Sequence, residues 1–145
     1  MSLKLVPYND ILIRDLSSIK DMLHQADLTE FIDNGRAKII DYEKFIYIKY
    51  NEKYIGYLYP RTLHIGEICW LSQYSNDNPE EYMVITPMFV VPEYRSVGVG
   101  RNALKLYFKD RKGLIWIEED NFASKKMVEY AGFVHYADGY YVKSL

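Results

Sequence analysis

Leu3 to Val6 reads as a short extended segment, and the Asn9-Asp10 pair then caps a run in which Ile11, Leu12, Ile13, Leu16, Ile19 and Leu23 recur at helical intervals. The pattern predicts an amphipathic helix over about residues 10–25. A second short helix is expected around Thr29 to Asp33, stopped by the helix-terminating pair Asn34-Gly35. Phe45 to Tyr50, a polar Asn51-Glu52-Lys53 link and Tyr54 to Tyr59 form the pattern of a β-hairpin. Ile65 to Ser72 extends the sheet by a further strand, and Ser75-Asn76-Asp77-Asn78-Pro79 is rich in turn residues. The apolar run Tyr82 to Val91 suits a central strand. Residues 100–110, 114–118, 122–131 and 133–143 then read as helix, strand, helix and a final hairpin around Asp138-Gly139.

This order predicts one α/β (α+β) domain over residues 1–145, built on a mixed sheet flanked by helices. Pro87 interrupts the central run, and because proline donates no hydrogen bond to a ladder it marks either a bulge or the division of the run into two short strands.

Composition narrows the function classes. The chain of 145 residues has 49% hydrophobic and 26% charged residues, which is ordinary for a globular domain. No apolar run approaches the ~20 residues that span a bilayer, so no membrane partner is expected. The first residues are too short and too mixed for a secretory leader, and a cytoplasmic location is expected. A net charge of -2 with scattered basic residues argues against nucleic acid as a partner. The single cysteine, Cys69, excludes an internal disulfide and a multi-cysteine metal site, and no metal is expected. Within Glu67-Ile68-Cys69-Trp70-Leu71 it reads as a small buried hydrophobe in a strand. Most of the 15 tyrosines read as strand residues, with a minority available to line a cleft.

The chemistry concentrates at Arg95-Ser96-Val97-Gly98-Val99-Gly100, between the strand ending Phe89-Val90-Val91 and the helical pattern that starts at Arg101. Glycines two apart let main chain approach a ligand, and a helix starting there aims unpaired N–H groups and its positive dipole end into the loop. A pyrophosphate fits such a cradle. Gly98-Val99-Gly100-Arg101-Asn102-Ala103 also satisfies a dinucleotide fingerprint, with Glu118 twenty residues after Gly98. In that fold, however, the first glycine follows the strand almost at once, whereas Pro92-Glu93-Tyr94-Arg95 intervenes here. A P-loop is excluded because no Gly-Lys-Ser/Thr follows. A second motif lies downstream, where Asn121 and Ser124 open a helical segment that ends at Gly132-Phe133.

Together the two motifs, R-x-x-G-x-G and N-x-x-[A/S] followed by G-F, cover residues 81–133 and resemble the GNAT (GCN5-related) N-acetyltransferase superfamily. The resemblance implies a mostly antiparallel sheet with a bulged central strand and acetyl-CoA as cosubstrate. It places main-chain groups of Phe89, Val90 and Val91 on the pantetheine arm. It puts the N–H groups of Ser96, Val97, Gly98, Val99, Gly100 and Arg101 on the pyrophosphate, with Arg95 adding charge and Asn121 and Ser124 contacting the cofactor. Arg95 also reads as a surface cation, and Asn121 as a plain helix N-cap. The implied reaction moves an acetyl group to a primary amine of a small-molecule or peptide acceptor, by a monomer or homodimer. The alternative is a CoA-binding sensor or interaction module of the same fold with weak turnover or none.

An ammonium must lose a proton before it attacks, and among Glu80, Glu81, Glu118 and Glu119 the position of Glu119 makes it the first candidate base, ahead of His64 and His135. The place that in the family often carries a tyrosine acid, seven residues after Asn121, is Val128, and Tyr130 lies about 200° further around the helix.

Overall fold

A computed structural model describes residues 2–26, 32–33, 36–37 and 41–145. The elements in chain order are β1 (Leu3–Pro7), α1 (Leu16–His24), β2 (Ile32–Asp33), β3 (Arg36–Ala37), β4 (Ile46–Tyr50), β5 (Lys53–Arg61), α2 (Ile65–Leu71), β6 (Tyr82–Val90), α3 (Val99–Tyr107), β7 (Lys112–Trp116), α4 (Phe122–Tyr130), β8 (Val134–His135) and β9 (Tyr140–Lys143). Seven strands join in the order β1-β4-β5-β6-β7-β9-β8, and β2 pairs with β3 separately. The chain divides into two compact units, Met1–Tyr59 with Pro87–Ala103, and Pro60–Thr86 with Leu104–Leu145.

In the first unit β1 lies antiparallel to β4, from Leu3↔Tyr50 to Pro7↔Ile46. The expected hairpin forms, with Asn51 and Glu52 both at positive φ (48° and 68°), the twist that a two-residue hairpin link requires. Asn51 is also tied to the chain start, since its Oδ1 accepts from the Ser2 N–H at 3.1 Å. A register shift between Ile48 and Lys49 bulges the β4–β5 ladder. The core here holds Phe45, Ile48, Ile55, Leu58 and Val99, each at 0% exposure, with the Phe45 and Tyr57 rings stacked at 4.5 Å. Burial of each such side chain contributes about 1.5–3 kcal/mol.

The first helix is shorter than its apolar pattern suggests. Tyr8–Asp10 and Ile13–Asp15 are separate 3-10 turns, with Ile11 and Leu12 extended between them, and α1 begins only at Leu16. Three consecutive apolar residues, Ile11 to Ile13, cannot share one helix face, and Ile13 stays 88% exposed. Of the helix expected at Thr29 to Asp33, the first three residues and the Asn34-Gly35 stop lie outside the described residues; Ile32–Asp33 is a strand paired with Arg36–Ala37.

The second unit corrects the reading of Ile65 to Ser72, which is helical rather than a strand. His64 takes an extended conformation before the first turn, and Glu67, at the third helical position, accepts the His64 N–H at 2.7 Å through Oε1. That bond from the residue before the helix to its third position is the local reason for the helix. Trp70 and Leu71 face a core with Leu63, Tyr82, Val84, Leu114 and Val142, and Ile68 packs beside them. Cys69 falls on the other side of the helix and is exposed, so it is not the buried strand residue that the sequence suggested.

Glu67 also carries a pH dependence. Burial works against its ionisation, but hydrogen bonds from Arg61 Nη1 at 2.8 Å and Nη2 at 3.1 Å, and from the His64 N–H, outweigh it and hold the carboxyl below its usual range. A depressed folded-state pKa contributes stability above the unfolded value, and this is lost as pH falls through the folded one. Glu67→Gln is therefore expected to lower the urea midpoint at pH 7 and to differ little from the parent near pH 3. Equal deficits at both pH values would mean that the carboxylate charge does not matter there.

β6 runs from Tyr82 to Val90 as one strand through Pro87, so the run is not divided into two. Its parallel ladder with β7 holds only Tyr82↔Lys112 and Met83↔Gly113, while along its other edge β7 pairs with β9 from Gly113↔Lys143 to Trp116↔Tyr140. Lys112 Nζ fastens that joined end, donating to Asp77 Oδ2 at 2.9 Å and to Glu81 Oε2 at 3.2 Å.

Candidate functional site

The loop after β6 has the geometry of an anion cradle. Gly98 sits at φ +79°, a conformation that side chains other than glycine rarely adopt. Its carbonyl accepts both the N–H of Asn102 at 3.2 Å and the side-chain Nδ2 of Asn102 at 2.7 Å. Asn102 thus ties the turn to α3, a positioning role that the motif alone did not reveal. Among the described residues no hydrogen bond is donated by the main-chain N–H groups of Ser96, Val97 or Gly98. Those of Val99 and Gly100 open α3, where no intrahelical acceptor exists. The side chain of Val99 is fully buried, which leaves only its main chain to face a ligand.

Gly100 plays a different part from Gly98. A Cβ there would meet Met88 Cε at 3.5 Å and Val90 Cγ2 at 3.7 Å, so this glycine faces β6 at a distance where a methyl group would make ordinary contact. The Arg101 guanidinium lies over the turn, with Nε 3.1 Å from where a Gly98 Cβ would be. Arg95 donates Nε to the Val90 carbonyl at 2.8 Å, and its guanidinium carbon lies 5.6 Å from the Phe89 ring centre. The cation is held at the strand end beside the cradle rather than swinging freely on the surface.

The three residues expected to meet a pantetheine arm divide between the two edges of β6. The Val91 N–H donates to the Ile55 carbonyl at 2.8 Å, and the Phe89 carbonyl crowds Gly56, where a Cβ would be 2.1 Å from it. Both residues therefore address β5. Alternation along the strand turns the main-chain groups of Val90, and with them those of Met88, to the opposite edge. Gly56 carries the sequence sign of such a close approach, an isolated glycine within a strand.

In the second unit Asn121 is the N-cap of α4, its Oδ1 accepting the Ser124 N–H at 3.2 Å. The two motif residues are thus engaged with each other, while the Asn121 amide NH2 and the Ser124 hydroxyl remain outside that bond. Glu119 is exposed in the turn before α4, and its main-chain carbonyl accepts from Lys125 Nζ. It shares a pocket with His135. Of the other candidate bases, Glu81 is engaged with Lys112, His64 begins α2, and Glu80 and Glu118 are exposed. Val128 is 2% exposed and belongs to the core of its unit, whereas Tyr130 is 42% exposed with Lys105 Nζ 4.6 Å from its ring centre. Among the described residues no group of three His, Cys, Asp or Glu side chains is arranged to hold a metal ion, and no helix is long and apolar enough to cross a membrane.

The architecture is thus a mostly antiparallel mixed sheet whose parallel strand pair parts early, with a glycine turn feeding a helix at the end of β6. The model of the acetyltransferase (GNAT) family matches residues 9–133, and the chain belongs to that family. No curated protein matches it in sequence. Among solved structures, it is similar to a GNAT-family acetyltransferase from Streptococcus agalactiae (TM-score 0.65, 10% identity, 99% of this chain and 95% of that one). It is similar too to the aminoglycoside acetyltransferase AAC(6')-Ib in complex with coenzyme A (TM-score 0.60, 16% identity, 99% and 95%). A third is the ribosomal-protein-S18-alanine N-acetyltransferase from Escherichia coli (TM-score 0.53, 12% identity, 97% and 91%). At these identities the likeness is one of fold.

Proposed function

We propose that this protein transfers the acetyl group of acetyl-CoA to a primary amine. The observation that carries the reading is the cradle, with its glycine at positive φ, donors unengaged at Ser96, Val97 and Gly98, and Arg95 pinned at its rim. A pyrophosphate is the guest that so many convergent N–H groups at a helix start accommodate. Coenzyme A bound to two neighbours of similar fold, YhhK from E. coli and AAC(6')-Ib, supports the same choice. In this reading Ser96 to Arg101 hold the pyrophosphate and Arg95 adds charge, while Met88 and Val90 offer main-chain groups to the pantetheine amides. Asn121 and Ser124 contact the cofactor with the amide and hydroxyl that their mutual bond leaves over.

When bound, acetyl-CoA supplies a thioester whose acyl carbon the amine attacks, the C–S bond breaking as the sulfur leaves. Glu119 takes the proton that an ammonium must shed before its nitrogen becomes a nucleophile. Glu119→Gln is expected to lower thiol release from acetyl-CoA with a panel of primary amines by ~10²-fold at neutral pH. The deficit should shrink at high pH, where free amine forms unaided, and the stabilisation by CoA should be unchanged. A variant with the parent's pH–rate profile would remove Glu119 from the reaction.

The burial of Val128 favours a second reading, because the place of the usual tyrosine acid is here occupied by core. A module that binds CoA without turnover fits that observation. Saturable CoA binding with no steady thiol release across the amine panel would decide for the module; steady release decides for the enzyme.

A further inference from the structure

We infer that the pocket at the C-terminal end of β7 receives the ammonium end of a primary amine that carries no anionic group of its own. The pocket, of about 380 Å³, lies within the second unit, and its walls include Trp116, Glu119, Lys125, His135, Asp138 and Tyr141. In biological terms the inference rests on the acetyl-transfer reading and specifies the acceptor class that reading leaves open.

The aromatic wall is held in place. Trp116 Nε1 donates to the Asp138 carbonyl at 2.9 Å, and a Cβ on Gly139 would be 2.6 Å from that nitrogen, so the turn has a glycine where the indole lies against it. The ring is nevertheless 53% exposed, with its N–H already satisfied, and its π system attracts a cation. Two carboxylates share the pocket. That of Glu119 has no hydrogen bond or ion pair among the described residues. Asp138 accepts the Trp70 indole N–H at 3.2 Å through Oδ2, which leaves Oδ1 for another donor. The one lysine of the lining, Lys125, gives its Nζ to the main-chain carbonyl of Glu119. His135 lies tilted against Tyr141, ring centres 4.9 Å apart, and the two carboxylates of the lining outnumber its one lysine.

An alkyl or aralkyl ammonium meets the needs of these groups at once, with N–H donors for the carboxylates and a positive charge near the indole. A carboxylate or phosphate beside the amine would face Glu119 and Asp138 at close range. α-Amino acids are therefore disfavoured, and lysine-like or simple amines are favoured.

The test follows the indole ¹H–¹⁵N resonance of Trp116 in the full chain without CoA, assigned through Trp116→Phe. Benzylamine is the probe, and phenylglycine, the same skeleton with an α-carboxylate, is the control. Benzylamine is expected to shift the resonance saturably, with phenylglycine at least about tenfold weaker. Glu119→Gln and Asp138→Asn should each weaken benzylamine by about tenfold or more, the loss of one charge-assisted hydrogen bond. Asp138→Asn suits the positive φ of 56° at that position and retains an oxygen for Trp70, so the hairpin persists in it. Equal binding of the two probes, no saturation, or indifference to both substitutions would overturn the inference. Stabilisation by CoA is measured on the same samples. If it persists while the amine result fails, only the pocket assignment falls; if it is absent while the amine result holds, only the acetyl-transfer reading falls.

Discussion

Gly56→Ala is expected to lower the melting temperature by on the order of 10 °C or to leave no folded protein, the largest loss foreseen for any single methyl group in this chain. A Cβ at residue 56 would lie 2.1 Å from the Phe89 carbonyl oxygen and 3.0 Å from Val90 Cα, and both obstacles are main chain. Side-chain rotation cannot relieve the clash, so β5 or β6 must move. Ile55 and Leu58, fully buried near it on β5, would move as well. Such displacement costs about 4 kcal/mol or more, in the tail of single-substitution effects. Thermal unfolding monitored by circular dichroism reads the result, and a melting temperature like the parent's would mean that the two strands do not approach so closely.

CoA or acetyl-CoA at a hundred times its dissociation constant is expected to stabilise the protein by ~2.7 kcal/mol, while NAD at the same concentration does nothing. For a domain of this size the shift is roughly 5–15 °C. The donors responsible are main-chain groups, so no single polar side chain can be removed to abolish it. Gly98→Val acts on the backbone instead. Valine at φ +79° is strained, and its Cβ would lie 3.1 Å from Arg101 Nε. The turn must then open, and the N–H groups of Ser96 to Val99 lose their common direction. The CoA-induced shift should vanish although the substituted protein folds with a somewhat lower baseline. A folded Gly98→Val protein with the parent's affinity would remove this loop from the cofactor site.

The hairpin over Phe45 to Tyr59, the helix after Asn121 and the loop from Arg95 to Gly100 were readable because their signals are local. A turn pair between alternating apolar residues, an asparagine three residues before its N–H partner, and glycine at a left-handed position all act within a few residues. Ile65 to Leu71 was misread for a reason of the same kind. A continuous apolar run carries no period of its own, and the deciding signal, Glu67 reaching back to cap His64, is a single side chain. Cys69 followed the element into error, since a change from strand to helix changes which residues share a face. Leu12 and Ile13 extended a helical pattern that the backbone does not follow.

The sequence by itself determined the family and the glycine turn that feeds α3, and it is the source of the proposal that a phosphate-bearing guest sits there, because glycine spacing and helix starts express local backbone physics. Only the tertiary structure decided which edge of β6 each residue addresses, through the bond from the Val91 N–H to the Ile55 carbonyl, whose register depends on residues far apart in the chain. It also decided that Val128 is core and that Glu119, His135, Asp138 and Trp116 line one pocket. The place of Trp116 beside the hairpin that carries Asp138 arises from strand pairing between β7 and β9, where Trp116 lies opposite Tyr140, and no short stretch of sequence encodes a partner so many residues away.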